Sequence, residues 1–361
     1  MKLRRRVLLA LAVLLIGEVA TLFFLTRPPP ILTVMTWAGT YGRAQTNAQM
    51  HTYAADRNVD VRPAFWDGDL ADVRKMVERR QYTGDVIDFE LPKAVQACKD
   101  GLLEKINPTI LPAGANGVPA ARDFVPGAIG PCWVGSQIYS QVVVFSPKLK
   151  KSPTTLADFF DARKFRGRRA LSRASAKFNL EMALLADGVA PGDVYKTLET
   201  PDGLDRAFAK LKALNPIWAH DSVGALEWLK DGQAVMVTAL NGDVFDLKDF
   251  TPGGVVWDHQ LYEMDVFGVP AGDPRRDRAM DYIAYATASA PLAGVARWVP
   301  FGPARRSSLP LVKPNPETGQ AMTGVLPTAP GNFGTAFAVD EGWWLAHGPA
   351  IASRWQEFVS R

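Results

Sequence analysis

From residue 31 onward, short apolar runs alternate with longer stretches in which apolar residues recur every three or four positions. Residues 31–36 (ILTVMT), 59–65 and 85–91 (DVIDFEL) have the length and β-branched content of strands. Between them, 43–58 and 69–81 carry helical periodicity. The second of these opens on Asp69 as N-cap with Asp72 three positions on. Residues 92–100 read as a helix stopped by Gly101. Strand, helix, strand, helix, strand in this order imply a parallel sheet with right-handed crossovers.

The same alternation continues. Segments 138–145 (IYSQVVVF), 234–240 (AVMVTAL) and 255–257 read as strands, and 266–270 begins a return strand. Helices are expected over 180–186, 194–198, 204–214, 222–231 and 277–288, with a tryptophan-rich amphipathic helix over 337–358. The chain is α/β. A length of 361 residues suits two lobes plus a leader, and 47% hydrophobic residues can fill two cores.

The first thirty residues stand apart. A cationic start, Lys2 to Arg6, precedes an apolar run over 7–16 that resumes over 19–26 after Gly17 and Glu18. This is an export signal, and about 20 residues would just span a bilayer as a helix. A cut after Ala20 would place Glu18 where a small residue is wanted, which favours an uncleaved anchor over a cleaved peptide. Prolines 28–30 act as a stiff spacer.

Export changes two other readings. The net charge of +4 comes from the leader, because removing residues 1–30 leaves 36 positive and 36 negative side chains. A neutral, exported body argues against nucleic-acid binding. The two cysteines, Cys98 and Cys132, are expected to form a disulfide in an oxidising compartment, the alternative being two free core thiols.

No nucleophile elbow, phosphate-binding loop or dinucleotide fingerprint is present. The four histidines are scattered, and two cysteines cannot build a structural zinc site, so neither a cofactor nor a metal is expected. The basic stretch 162–173 reads as a solvated turn entering a strand rather than a phosphate site. Aromatics and acids instead recur just after strands. Trp37 and Tyr41 follow the first, and Trp66, Asp67 and Asp69 follow the second, where the two aspartates serve as turn and cap residues. Asp88 and Glu90 fall in the third, and the mixture returns at Asn241, Asp243, Trp257, Asp258, Tyr262 and Asp265. In open α/β sheets ligands sit beyond the carboxyl ends of strands. Rings and carboxylates there suit an organic cation. Glu90 and Asp265 draw most interest because each interrupts an apolar strand, where an unpaired buried carboxylate is costly.

The stretches TWAGTYG (36–42), DVIDFE (85–90), CKDGLLEKI (98–106), DFVPGAIGPCWVG (123–135), LNGDVFD (240–246), WDHQLYEMDVFGVPAG (257–272) and WVPFGPARR (298–306) follow one another in an order that resembles the extracellular solute-binding proteins of ABC importers. The spermidine/putrescine-binding group is the most similar. The resemblance implies a two-lobed, type II periplasmic-binding-protein fold, each lobe a mixed sheet flanked by helices, with the ligand cleft between them. One lobe would be 31–140 with 265–361, and the other 141–264. It implies ligand contacts from Trp37, Tyr41, Glu90, Asn241, Asp243, Tyr262 and Asp265. It also implies a monomer serving a membrane permease and its ATPase, and binding rather than catalysis. The alternatives are a membrane-tethered sensory binding protein or an enzyme on that scaffold. Three departures stand out. Leu240 precedes Asn-Gly where polyamine binders tend to carry an aromatic, Glu263 stands where an aromatic is frequent, and the stretch 175–178 (SAKF) brings a lysine where further carboxylates are usual.

Overall fold

The computed structural model describes residues 28–360. The expected anchor over 7–26 lies outside them, and no helix among the described residues is long and apolar enough to cross a membrane.

Ten strands form the framework: β1 (Ile31–Thr36), β2 (Asp60–Phe65), β3 (Val86–Glu90), β4 (Val134–Phe145), β5 (Arg169–Ser172), β6 (Ile217–Ala219), β7 (Met236–Leu240), β8 (Gly254–Gly268), β9 (Gly302–Pro303) and β10 (Phe337–Ala338). Their order is β2-β1-β3-β8-β4-β7-β5-β6, with β10 on β8 and β9 on β4. β1 pairs in parallel with β2 and β3, as the crossover argument requires. β5 does the same with β6 and β7. Between these two parallel wings, β4 and β8 run antiparallel to each other, and each is long enough to reach into both halves.

The segment 255–257 and the start of 266–270, expected as separate strands, belong to the single 15-residue strand β8, which ends at Gly268. Asp258, His259, Gln260, Glu263 and Asp265 interrupt the apolar pattern along this strand, while Leu261, Tyr262, Met264 and Val266 between them are buried in the cores. His259 sits at φ 51°, and β4 shifts register between Gln141 and Val143. These irregularities bend the central pair where it passes from one half to the other.

Buried apolar residues gather around each wing. One cluster joins Leu32, Val34, Ile87, Phe89 and Ile138 to Val266, Phe267 and Ile283. The other joins Phe145, Phe159, Leu180 and Met236 to Trp343, Ile351, Trp355 and Val359. The expected partition placed the whole of 265–361 in the first lobe, whereas Trp343, Ile351, Trp355 and Val359 join the second cluster. The C-terminal helix Glu341–Val359 packs on the second core. Its Trp355 ring lies 5.3 Å from that of Trp218, and its indole N–H donates to Arg173 O at 2.9 Å. The aromatic pocket there matches the tryptophan face of this helix, while the first core is closed by the helices Arg276–Ala286 and Ser289–Ala296.

Two local details bear on the sequence reading. Cys98 and Cys132 are joined in a disulfide that ties the helix Leu91–Lys99 to the loop before β4. Within the basic stretch, Arg169 is 2% exposed and donates to the carbonyls of Phe159, Asp161 and Gly167. It closes a turn of the second lobe.

Candidate functional site

The register of the central strands assembles a group of acids. In the antiparallel β3–β8 ladder, Glu90 stands opposite Asp265 and Asp88 opposite Phe267. In the β4–β8 ladder, Tyr139 stands opposite Glu263. Side chains alternate between faces along a strand, so Asp88, Glu90, Glu263, Asp265 and Tyr139 share one face. Three of the acids, Asp88, Glu263 and Asp265, are buried, and Asp265 is 4% exposed.

A short helix, Gly39–Gln45, follows β1 and lies over this face. Gln45 donates to Asp88 Oδ2 at 2.6 Å and to Tyr41 Oη at 3.1 Å, and its carbonyl accepts from Thr36. The second oxygen of Asp88 is buried without a partner. Tyr139 donates to Glu263 Oε2 at 2.7 Å. The Tyr41 and Tyr139 rings flank Phe301, with centroids 5.1 and 5.9 Å from it, and Trp37 packs in the same cluster as Tyr41 and Phe301. The Trp37 indole N–H is buried and unpartnered.

The second half contributes a cation. Lys177 lies in the turn between β5 and the helix Asn179–Ala186 and pairs with Glu263, and with Glu341 at 3.3 Å. The turn is braced: Asn179 Nδ2 donates to Ser172 O and Ser175 O, and Ser175 Oγ accepts from Lys177 N. Phe178 adopts φ 71°, a conformation rarely held by an aromatic residue and one that surrounding structure must enforce. A cavity of about 340 Å³ adjoins, bounded by Gln141, Lys177, Phe178, Ser222, Leu240 and Asp243.

The electrostatics follow from burial. Desolvation pushes Asp265 well above the ordinary carboxylate range, and the charges of Asp88, Glu90 and Glu263 push it further. Asp88 and Glu90 are raised for the same leading reason. Desolvation likewise raises Glu341, and the neighbouring Glu263 raises it further. Burial alone would raise Glu263 too, but hydrogen bonding to Glu341 and the pairing with Lys177 outweigh it and hold Glu263 below the ordinary range.

The structure therefore brings Tyr41, Glu90 and Asp265 to one place with Trp37 beside them, and sets Asp243 on the adjoining cavity. Two expected contacts are placed differently. Tyr262 lies on the opposite face of β8 from Asp265 and packs in the first core against Phe333, 5.1 Å away, because residues three apart on a strand point oppositely. Asn241 is buried with both ends of its amide engaged, accepting from Ser140 N at 2.8 Å and donating to Pro300 O at 2.6 Å. Tyr139, Phe301 and Glu341 went unnoticed in the sequence. Glu341 follows Asp340, which caps the last helix through Trp343 N, so it reads as an ordinary first-turn acid.

Residues 48–326 match the family model of the bacterial extracellular solute-binding proteins. The chain is 35% identical over 334 residues to a gamma-aminobutyric acid-binding protein of Pseudomonas aeruginosa, covering 91% of each. Among solved structures it superposes on the Atu4243-GABA receptor with a TM-score of 0.73 at 28% identity, covering 91% of this chain and 97% of that one. It matches an Agrobacterium tumefaciens B6 binding protein, MotA in complex with glucopine, at 0.69 and 25%, covering 91% and 99%. A substrate-binding protein of an ABC transporter from Bradyrhizobium japonicum gives 0.75 and 25%, covering 91% and 99%. These relatives are binding proteins, not enzymes. With two wings joined by β4 and β8 and acids gathered where they meet, it has the two-lobed periplasmic-binding-protein fold and belongs to the bacterial extracellular solute-binding protein family.

Proposed function

We propose that the chain is the solute-binding component of an ABC importer, held outside the inner membrane, which captures a small amine-bearing solute and delivers it to a permease and its ATPase. One observation carries the ligand class: Glu90 and Asp265 stand opposite each other on the face where the two cores meet, in an environment too dry for two carboxylates to ionise without a cation. A protonated amine inserted there relieves the repulsion and gains charge-assisted hydrogen bonds. The aromatic wall of Trp37, Tyr41, Tyr139 and Phe301 covers the carbon chain. The bends in β4 and β8 serve as the hinge about which the lobes close. Polyamines and γ-aminobutyrate (GABA), the latter named for two relatives, are the two candidate classes.

The test is thermal unfolding of refolded, ligand-stripped protein against GABA, putrescine, spermidine, agmatine, neutral amino acids and sulfate. A ligand at 100 times its Kd adds about 2.7 kcal/mol, which raises Tm by several degrees. Amines are expected to raise it. A rise with sulfate alone overturns the assignment.

A further inference from the structure

The acids at the junction outnumber the cations that reach them. Asp88, Glu90, Glu263, Asp265 and Glu341 converge, and one ammonium, that of Lys177, pairs directly with two of them. Lys93 acts on Glu90 from farther off while donating to Gly68 O. Glu263 and Asp265 are two residues apart on the same face, so about 7 Å separates their positions along β8. That is the reach of a four-carbon diamine. The acids thus mark two ammonium positions, one at Glu90 and Asp265, the other at Glu263 and Glu341.

We infer that Lys177 permanently fills the second ammonium position and so makes the cleft selective for solutes with a single amine. This deepens the proposed function and rests on its amine-binding reading. The lysine is not a loose surface residue. Its side chain is three-quarters buried, its turn is braced by Asn179 and Ser175, and its ammonium lies 5.4 Å from the Phe178 ring centroid. A side chain held this firmly loses little entropy on ligand binding. A diamine entering the closed cleft would set a second ammonium against that of Lys177, a like-charge contact in a dry place. A ligand with one amine and a neutral or anionic far end meets no such penalty. An anionic far end gains from Lys177.

The experiment is calorimetric titration of the chain with GABA and with putrescine, which share a four-carbon scale and differ in the second charge. Wild type is expected to bind GABA at least tenfold more tightly. Lys177→Met, similar in length and uncharged, is expected to move the ratio of the two affinities at least tenfold toward putrescine, and Lys177→Arg to keep the wild-type preference. An unchanged ratio in folded Lys177→Met overturns the inference. Should that variant fail to fold, the wild-type ratio decides alone. A wild-type preference for putrescine overturns the selectivity and leaves the amine-binding reading intact, whereas wild type binding no amine at all sinks the proposed function itself.

Discussion

Glu90 and Asp265 are direct cross-strand partners in the β3–β8 ladder, the arrangement in which like charges repel most strongly. Each is raised above the ordinary carboxylate range, chiefly by burial. A fold selected for stability alone would place an apolar pair there. The conflict makes sense where a cation arrives from outside.

Asp265→Asn separates the two roles of this carboxylate. It keeps the shape and removes a charge that native burial opposes. The amine ligand is expected to bind at least 30-fold more weakly, corresponding to about 2 kcal/mol or more for a lost buried charge partner. The apo protein is expected to unfold at an equal or higher temperature. Calorimetric titration and unfolding of the same preparation check both, and unaltered affinity removes Asp265 from the site.

Asn241→Ala is expected to behave in the opposite way. Its amide joins Ser140 N on β4 to Pro300 O, so truncation leaves a buried donor and a buried acceptor unsatisfied. At about 1–3 kcal/mol for each such group, denaturant unfolding should show a loss of about 2–6 kcal/mol. Ligand affinity should change less than with Asp265→Asn. A stable Asn241→Ala with lost affinity would return Asn241 to the ligand-contacting set.

These two residues also show what the sequence could reveal. The parallel wings were legible because their strands are short, apolar and followed by capped helices, as at Asp69, whose side chain accepts from Ala71 N. Asp265 and Glu90 were legible because each breaks an apolar run. Asn241 shows the limit: a polar residue at a strand end reads as a ligand contact until its two partners, far away in the chain, are known. Tyr262 and Glu263 are neighbours in sequence, and only the register against Tyr139 says which of them faces the acids. Lys177 pairs with residues 86 and 164 positions distant, a pairing no local pattern encodes. Amphipathicity identifies the apolar face of the C-terminal helix without saying which core receives it, and its place in the first lobe was implied by the resemblance alone.

The packing of this helix on the second core can be checked. Trp355→Ala empties a fully buried position between Trp218, Phe208 and Phe358. A loss of about 3–5 kcal/mol is expected for a core tryptophan. Hydrogen exchange should speed up most in the second core, around Phe208 and Trp218, and least in β1 to β3. Faster exchange confined to β1–β3 would restore the helix to the first lobe.

Opening the Cys98–Cys132 bridge by replacing both cysteines with serine is expected to cost about 3.8 kcal/mol, the chain-entropy value for a loop of 34 residues. The bridge anchors the helix that begins immediately after Glu90. Strand β3 is independently fixed by β1 and β8. Ligand affinity should therefore fall by less than tenfold while Tm falls by several degrees. A collapse of affinity in a folded double variant would show that the bridge, rather than the ladder, positions Glu90.

Stability and binding should respond to pH in opposite senses. Asp88 and Asp265 hold their protons more tightly in the folded chain than in the unfolded one, burial being the main cause in both. Glu181, buried beneath Trp344 and Tyr195, is pushed up to about 7 in the same way. Between the ordinary carboxylate range and these raised values, the native state binds more protons than the unfolded one, so stability declines as pH rises through that window. The apo Tm is expected to be higher at about pH 5 than at about pH 8. An ammonium ligand needs the carboxylates ionised, so its binding must expel protons and weaken as pH falls. Titrations in buffers of differing ionisation enthalpy should report proton release for wild type and less for Asp265→Asn. An apo Tm that climbs from pH 5 to pH 8, together with proton-neutral binding, would mean that the acids are already ionised and paired within the protein, leaving no charge for a ligand to satisfy.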